Sequence, residues 1–229
     1  MKISEIFYSI QGEGKLVGVP SLFVRVSGCN LRCSWCDTPY ASWDPEGLEW
    51  SVQEILSQVD MRSARHVVLT GGEPMIMPEI EELTAGLKQR GRHITIETAA
   101  TVFKPVALDL ASLSPKLSNS TPTEREGGRF AAAHDKQRIN LEVIQKFIDA
   151  SPDFQLKFVV NDGKDLEEME QILSGLRGWE PSDVQLMPEG TDVATLSRRL
   201  PYMGEFCKQK GYRLCPRLHV LMYGNRRGT

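Results

Sequence analysis

Short strand-like runs alternate with helix-like runs along most of this chain, and this alternation restricts the possible folds more than any other feature of the sequence. Runs rich in β-branched and apolar residues predict six strands, at residues 21–27, 66–70, 92–97, 106–110, 154–160 and 183–187. Runs with a helical apolar period predict five helices, at residues 51–60, 78–90, 138–150, 165–176 and 193–210. Strands that alternate with helices form parallel sheets, so the sequence predicts an α/β fold.

The size of the chain limits how many such units one fold can hold. Its 229 residues fit one domain, and we predict a single domain over residues 1–229. Six βα units are too few for the closed eight-stranded barrel, so we expect a partial, open parallel β/α barrel of about six strands. The polar segment 118–135 is predicted to be a long surface loop, and Pro201 is expected to kink or split the last helix.

Glycine, cysteine and polar residues follow the ends of the predicted strands. They occupy residues 28–36, 70–74, 97–98, 114–116 and 185–188. Ligands bind at the carboxyl ends of parallel strands, which share one edge of the sheet. The sequence therefore predicts one binding site at this edge.

Three of the five cysteines lie within eight residues, as Cys29, Cys33 and Cys36 in a CxxxCxxC pattern. An odd number of cysteines does not suit a disulfide framework, whereas three neighbouring thiolates suit an iron–sulfur cluster with one open iron. A structural zinc ion takes four protein ligands, and no fourth Cys or His lies nearby in sequence. The alternative is a zinc site completed by a distant ligand: Cys207, Cys215 or His219.

Charge and hydropathy exclude several classes of partner. The net charge is −3, from 27 basic and 30 acidic side chains, which does not favour direct nucleic-acid binding. No apolar run approaches the roughly 18 residues of a membrane span. The first residues lack the pattern of a secretory signal, so we expect a cytoplasmic protein without membrane contact.

The cysteine loop, with Trp35 before its last cysteine, resembles the signature of the radical S-adenosylmethionine (SAM) superfamily. Residues 70–74, TGGEP, resemble the GGEP element of the same superfamily. The resemblance implies a radical SAM fold with a [4Fe–4S] cluster on Cys29, Cys33 and Cys36. In that superfamily the open iron chelates SAM, and one electron splits a carbon–sulfur bond to give a 5′-deoxyadenosyl radical.

The resemblance also implies which residues contact SAM. Gly72 and Glu73 are expected to receive the methionine ammonium, and Glu97 with Thr98 to contact the ribose. Further contacts, including those at the adenine edge, are expected from Ser114, Pro115, Lys116, Gln185, Leu186, Met187 and Pro188.

A closer resemblance spans almost the whole chain and is to the 7-carboxy-7-deazaguanine synthase family. It is carried by residues 5–7 (EIF), 11–14 (QGEG), 23–25 (FVR), 36–38 (CDT), 114–116 (SPK), 156–157 (LK) and the His219 to Asn225 ending. Members of that family are lyases that convert 6-carboxy-5,6,7,8-tetrahydropterin into 7-carboxy-7-deazaguanine with loss of ammonia, on the route to queuosine. The resemblance implies the same reaction here.

Such a substrate would require particular side chains. Arg25 is expected to bind the pterin carboxylate, because a guanidinium binds a carboxylate through two parallel hydrogen bonds. Glu13 is expected to accept N–H groups of the pterin. The other substrate contacts that the resemblance implies are Ile10, Gln11, Gly12, Thr70 and His219.

The family resemblance extends to a metal ion and to partners. It implies Mg²⁺ at Thr38, a homodimer, and a flavodoxin or ferredoxin as electron donor. Residues 223–229 have no amphipathic period, so we expect this tail to close over the pterin.

Two other functions remain open at this point. A glycyl-radical activating enzyme also carries CxxxCxxC but acts on a protein, whereas Arg25, residues 11–14 and His219 favour a small pterin. The chain could also be a cluster-carrying or zinc-binding module without catalysis.

Overall fold

A single sheet of nine strands forms the centre of the computed structural model, which describes residues 1–229. The strands are β1 (Lys2–Ile10), β2 (Pro20–Val26), β3 (Leu48–Glu49), β4 (His66–Gly71), β5 (His93–Thr98), β6 (Leu110–Leu113), β7 (Phe154–Val160), β8 (Val184–Pro188) and β9 (Arg213–Leu214). Their order across the sheet is β3-β1-β2-β4-β5-β6-β7-β8-β9. From β2 to β9 neighbouring strands are parallel, whereas β1 is antiparallel to both β2 and β3. Because β3 and β9 remain unpaired edges, the predicted open, partial β/α barrel is confirmed.

Eight helices connect and cover these strands. They are α1 (Pro39–Ser42), α2 (Val52–Asp60), α3 (Ile80–Gln89), α4 (Ala131–Gln137), α5 (Leu141–Ala150), α6 (Gly163–Ser174), α7 (Val193–Lys210) and α8 (Leu218–Tyr223). Helix α2 begins at a capping box, in which Glu54 N donates to Ser51 Oγ and Ser51 N donates to the Glu54 carboxylate. None of these helices combines the length and the apolar character needed to cross a membrane.

The main core lies between the sheet and its helices. Strand residues such as Leu22, Leu69 and Ile96 are completely buried, as are Ile55 and Leu83 from the helices that pack on them. Burial of these side chains is the main favourable contribution to the fold. It leaves the carboxyl ends of the parallel strands available for a site.

Several predicted boundaries were wrong. The fourth predicted strand, residues 106–110, instead spans Leu110–Leu113, because Asp109 bonds to Ile94 N through its side chain and thereby fixes the start of β6. The segment 118–135 is not a plain surface loop, since it contains the first residues of α4. Helix α7 runs unbroken through Pro201, so this residue does not split the helix.

Strand β1 was not among the predicted strands. Its sequence, KISEIFYSI, has an irregular burial pattern, so it lacks the clean alternation of a half-buried strand. It becomes a strand by pairing along most of its length with β2.

Candidate active site

A cavity of about 560 Å³ opens at the carboxyl ends of the parallel strands. Thr70 and Gly71 end β4, Thr98 ends β5, and Ser114 directly follows β6. The cysteine loop after β2 and the last residues of the chain complete its wall. The edge predicted to hold the site is therefore where the cavity lies.

Most of the predicted site residues meet in this cavity. Those that line it are Ile10, Gln11, Gly12, Glu13, Arg25, Cys29, Cys33, Cys36, Thr38, Thr70, Gly72, Glu97, Thr98, Ser114, Lys116, Met187 and His219. Those that do not are Glu73, Pro115, Gln185, Leu186 and Pro188. Gln185 and Met187 share one face of β8, and Leu186 and Pro188 point to the other face. Of the two residues on the first face, only Met187, which is nearer the carboxyl end of the strand, lines the cavity.

The cysteine loop is held against the glycines that follow β4. Gly28 N donates to Ala41 O, and Glu73 N donates to Gly28 O at 2.9 Å. A Cβ atom on Gly72 would lie 1.9 Å from Gly28 O. The second glycine is thus required because the two backbones touch here.

The three thiols of this loop can hold an iron–sulfur cluster. Cys29, Cys33 and Cys36 are not in disulfides and face the same cavity. Burial raises the pKa of Cys29 and that of Cys33 to about 12, and the nearby Cys36 sulfur contributes in the same direction. No three His, Cys, Asp or Glu side chains in the structure converge as one metal ion requires. A cluster offers a separate iron to each thiolate, so this donor set fits a cluster better than a single zinc ion.

The segment predicted to be a surface loop anchors the cysteine loop. His134 of α4 is buried, and its Nδ1 accepts from Arg32 N at 3.1 Å while its Nε2 lies 2.9 Å from Ser120 Oγ. Burial lowers the pKa of His134 to about 4, which keeps the ring neutral at pH 7. Trp35 Nε1 donates to Asn119 Oδ1 at 3.0 Å.

Glu73 lies behind the cavity wall with no exposed surface. Its carboxylate accepts from Thr98 Oγ1 at 2.7 Å, Ala99 N at 2.8 Å and Met75 N at 3.0 Å. Burial raises its pKa despite these bonds. In this arrangement the carboxylate joins the ends of β4 and β5 and does not face a ligand.

A chain of ion pairs runs along the cavity wall in the order Glu97, Lys157, Glu13, Arg217, Asp37. Lys157 Nζ lies 2.7 Å from Glu97 Oε2 and 2.6 Å from Glu13 Oε2. Arg217 Nε lies 3.3 Å from Glu13 Oε1, and its Nη2 contacts Asp37 Oδ2. Burial alone would raise the pKa of Glu13, but the two cations hold it far below its ordinary value.

The sequence alone assigned no role to Lys157 and Arg217, the two cations in this series of ion pairs. Lys157 lies in β7, where every residue after Phe154 is buried. The only local signal for a role of Lys157 is that a lysine stands inside a run of buried residues. A buried lysine requires an anionic partner. Arg217 precedes α8 and has no comparable local signal.

Arg25 is already paired in this structure. Its Nε donates to Glu5 Oε1 at 2.6 Å, and Tyr40 Oη donates to the same oxygen at 3.0 Å. The Arg25 guanidinium also lies over the Phe7 ring, which stacks on Phe23 with a centroid distance of 4.9 Å. Aromatic faces and a guanidinium thus form one side of the cavity.

The end of the chain returns to the cavity. Leu218 N donates to Gly12 O at 2.9 Å, and His219 Nε2 lies 4.0 Å from Glu13 Oε1. Burial lowers the pKa of His219. Residues 225–229 line the opening, and Arg227 Nη1 donates to Glu46 Oε2 at 2.8 Å.

Thr38 lines the cavity beside the cysteine loop. Its Oγ1 lies 3.8 Å from Cys36 Sγ, which is a weak contact. The neighbouring Asp37 is bound by Arg217. The Thr38 hydroxyl is therefore the group at this point that remains available for a metal ion.

Comparisons with known proteins agree with this geometry. The family model described as the Radical SAM superfamily matches residues 23–174. The 7-carboxy-7-deazaguanine synthase of Rhodopirellula baltica is 43% identical over 227 residues, which cover 99% of this chain and 88% of the relative. That of Halobacterium salinarum is 44% identical and covers 98% of this chain and 91% of the relative.

A solved structure has the same fold. QueE from Escherichia coli superposes with a TM-score of 0.70 at 27% identity, and the match covers 93% of this chain and 92% of that one. The chain therefore belongs to the radical SAM superfamily and, within it, to the 7-carboxy-7-deazaguanine synthase family.

Proposed function

We propose that this enzyme converts 6-carboxy-5,6,7,8-tetrahydropterin into 7-carboxy-7-deazaguanine with loss of ammonia, a step in queuosine biosynthesis. The observation that carries the proposal is the whole-chain identity with synthases of that name. One cavity in the fold also brings together three free thiols, the Arg25 guanidinium and the Glu13 carboxylate. The reaction class is that of a lyase.

The cysteine loop would hold the cluster through Cys29, Cys33 and Cys36. When bound, the cluster and SAM supply a 5′-deoxyadenosyl radical. The protein itself holds the loop in place through His134 and Trp35, whose hydrogen bonds are buried or partly buried. This rigid support is what a reactive cofactor needs from its protein.

SAM would lie between the cysteine loop and the ends of β4, β5 and β6. Backbone groups at Gly72, together with Thr98 and Lys116, would contact it, and Glu97 would accept from the ribose hydroxyls; all four residues line the cavity. Lys116 Nζ now donates to Ser114 Oγ at 2.7 Å, so both side chains face the same space. Met187 is a further proposed contact. Pro115, Gln185, Leu186 and Pro188, which the resemblance also implies, do not line the cavity and are not proposed as SAM contacts.

Glu73 has a different role in this proposal from the one its motif implies. Its carboxylate is fully buried and already accepts three hydrogen bonds. It supports the SAM site by fixing Thr98 and the backbone at Ala99. A direct contact with the methionine ammonium would require these bonds to break.

The pterin would occupy the opposite side of the cavity, between Arg25 and Glu13. Arg25 is the proposed partner of the substrate carboxylate, and Phe7 and Phe23 provide an apolar surface for the ring. Glu13 is ionised, so it is an acceptor for the N–H edge of the pterin. Other proposed contacts are Ile10, Gln11, Gly12, Thr70 and His219.

Mg²⁺ is proposed to bind at Thr38. Magnesium keeps several water molecules and takes few protein ligands, so one hydroxyl and oxygens of the substrate would suffice. The carboxylate of Asp37 is directed to Arg217, which leaves the hydroxyl as the protein ligand.

The tail is proposed to close the cavity over the substrate. Residues 225–229 line its opening, and Arg227 contacts Glu46 and lies over the Tyr40 ring. A closed opening excludes water from a radical reaction.

Three properties of the enzyme in the cell complete the proposal. It would be a cytoplasmic protein that receives electrons from a flavodoxin or ferredoxin. It would form a homodimer, for which the exposed side chains of Leu221, Met222 and Tyr223 on α8 offer an apolar surface. Sedimentation of the wild type and of a Leu221→Ser, Met222→Ser variant would test the dimer.

The reaction is tested by anaerobic turnover of the cluster-loaded enzyme with 6-carboxytetrahydropterin and no partner protein. We expect 7-carboxy-7-deazaguanine and ammonia to form. A glycyl-radical activating enzyme would form no product without a protein substrate. Absence of product under conditions that cleave SAM would reject the proposed substrate.

A further inference from the structure

Two carboxylates with different proposed ligands share one cation. Glu97 lies at the SAM side of the cavity and Glu13 at the pterin side, and Lys157 Nζ contacts both at 2.7 and 2.6 Å. Among all ion pairs in the structure, Lys157 provides the only one that Glu97 makes. The position of this ammonium therefore depends on the charge of both carboxylates.

Lys157 cannot exchange these partners for water. Its side chain is 5% exposed, and it projects from β7, which lies inside the sheet. A buried ammonium without an anionic partner is strongly unfavourable. If one carboxylate lost its charge, the ammonium would move towards the other.

Glu97 also accepts hydrogen bonds from residues other than Lys157. Ser112 Oγ donates to Glu97 Oε2 at 2.8 Å, the same oxygen that Lys157 contacts. If the Lys157 ammonium paired with Glu97 alone, it would change the orientation of this carboxylate. It would then occupy acceptor positions that a ribose hydroxyl needs. The same competition applies at Glu13 for the N–H groups of the pterin.

We propose that Lys157 is a positioning residue that couples the SAM site to the substrate site by sharing its ammonium between Glu97 and Glu13. The pterin side of this inference rests on the proposed function. The SAM side requires only that the chain belongs to the radical SAM superfamily.

The coupling is tested by reciprocal substitutions in the full-length, cluster-loaded enzyme. Glu13 lies at the proposed pterin side, so Glu13→Gln should affect SAM only through Lys157. We expect SAM to bind about threefold or more weakly to this variant, a size typical of coupled neighbours. Glu97→Gln should weaken pterin binding to a similar extent. Isothermal titration under anaerobic conditions measures each dissociation constant.

The second step repeats both substitutions in a Lys157→Gln background. With the shared ammonium gone, Glu13→Gln should cause no further loss of SAM affinity and Glu97→Gln no further loss of pterin affinity. If Lys157 had only a structural role, Glu13→Gln and Glu97→Gln would still show these cross-effects in the Lys157→Gln background. Lys157→Arg keeps the charge and should keep them.

Lys104→Gln is the matched control. Lys104 donates to Met77 O from a partly buried position outside the cavity, so its loss should leave both affinities unchanged. Iron content and thermal unfolding of each variant identify global effects.

Two results would overturn the inference. One is SAM affinity in Glu13→Gln within twofold of wild type, which decides the matter even if Lys157→Gln does not fold. The other is a cross-effect that survives in Lys157→Gln, which would assign the coupling to Gln11, whose side chain also lies between Glu97 and the backbone of Glu13. The SAM measurement needs no pterin, so it remains valid if the proposed substrate is wrong.

Discussion

Arg25 and Glu5 face each other across the antiparallel pair of β1 and β2, and their side chains form an ion pair with an N···O distance of 2.6 Å. The second oxygen of Glu5 lies 3.6 Å from Arg227 of the tail. The proposed carboxylate clamp and the proposed lid therefore share one anion. A substrate carboxylate at Arg25 must compete with Glu5 or bind beside it.

Arg25→Ala should weaken pterin binding strongly. Loss of one partner of a hydrogen-bonded charge pair costs roughly 2 to 5 kcal/mol, which corresponds to at least about a 30-fold higher dissociation constant. SAM binding should barely change. Arg90→Ala, which removes a surface pair with Asp60, is the control. Equal weakening of both ligands would mean that Arg25 serves only to hold the two strands together.

Substitution of any one of Cys29, Cys33 and Cys36 by alanine should abolish cluster binding and formation of 5′-deoxyadenosine, because each thiolate is proposed to hold its own iron. Iron content and the absorbance near ~400 nm measure the cluster. Cys207→Ala should retain both properties, since Cys207 is buried in the main core. A complete cluster in the triple variant would reject the assignment.

Thr38→Ala should reduce the stimulation of turnover by Mg²⁺, because it removes the proposed protein ligand. Thr38→Ser keeps the hydroxyl and should retain most of the response. Turnover is measured over a magnesium titration for all three proteins. If Thr38→Ala responds like the wild type, the ion binds elsewhere and the enzyme assignment is unaffected.

Deletion of residues 224–229 should lower pterin affinity and turnover while iron content stays unchanged, because the tail is proposed to exclude water and confine the substrate. Single-turnover product yield, measured beside 5′-deoxyadenosine, would separate uncoupled SAM cleavage from complete reaction. Undiminished product would show that the tail is only a surface extension.

Arg227→Ala should have a smaller effect than this deletion. The Arg227 side chain is 45% exposed, and pairs of exposed charges contribute at most about 1 kcal/mol. We expect a pterin dissociation constant raised by less than about fivefold. Arg198→Ala on α7, outside the cavity, is the control. A loss as large as that of the deletion would assign closure to this one side chain.

Glu73→Ala should destabilise the fold by at least about 2 kcal/mol, because it leaves buried donors at Met75, Thr98 and Ala99 without their acceptor. Urea unfolding measures the free energy of unfolding, and Glu81→Ala on the exposed face of α3 is the control. Unchanged stability together with lost SAM affinity would instead support the direct ammonium contact that the motif implies.

The sequence by itself determined the alternation of strands and helices, the open barrel and the place of the site. These features follow from local periods and from the rule that parallel strands present their carboxyl ends at one edge. The spacing of Cys29, Cys33 and Cys36 is local in the same sense, as is the capping box of Ser51 and Glu54.

Only the tertiary structure decided which charged groups meet. Lys157 lies 144 residues from Glu13 along the chain, and Arg217 lies 180 residues from Asp37. Such pairs depend on the order of strands in the sheet and on the return of the last helix to the cavity. Helix and strand periods relate only residues that are close in sequence. They therefore cannot predict the distance or the relative orientation of side chains this far apart along the chain.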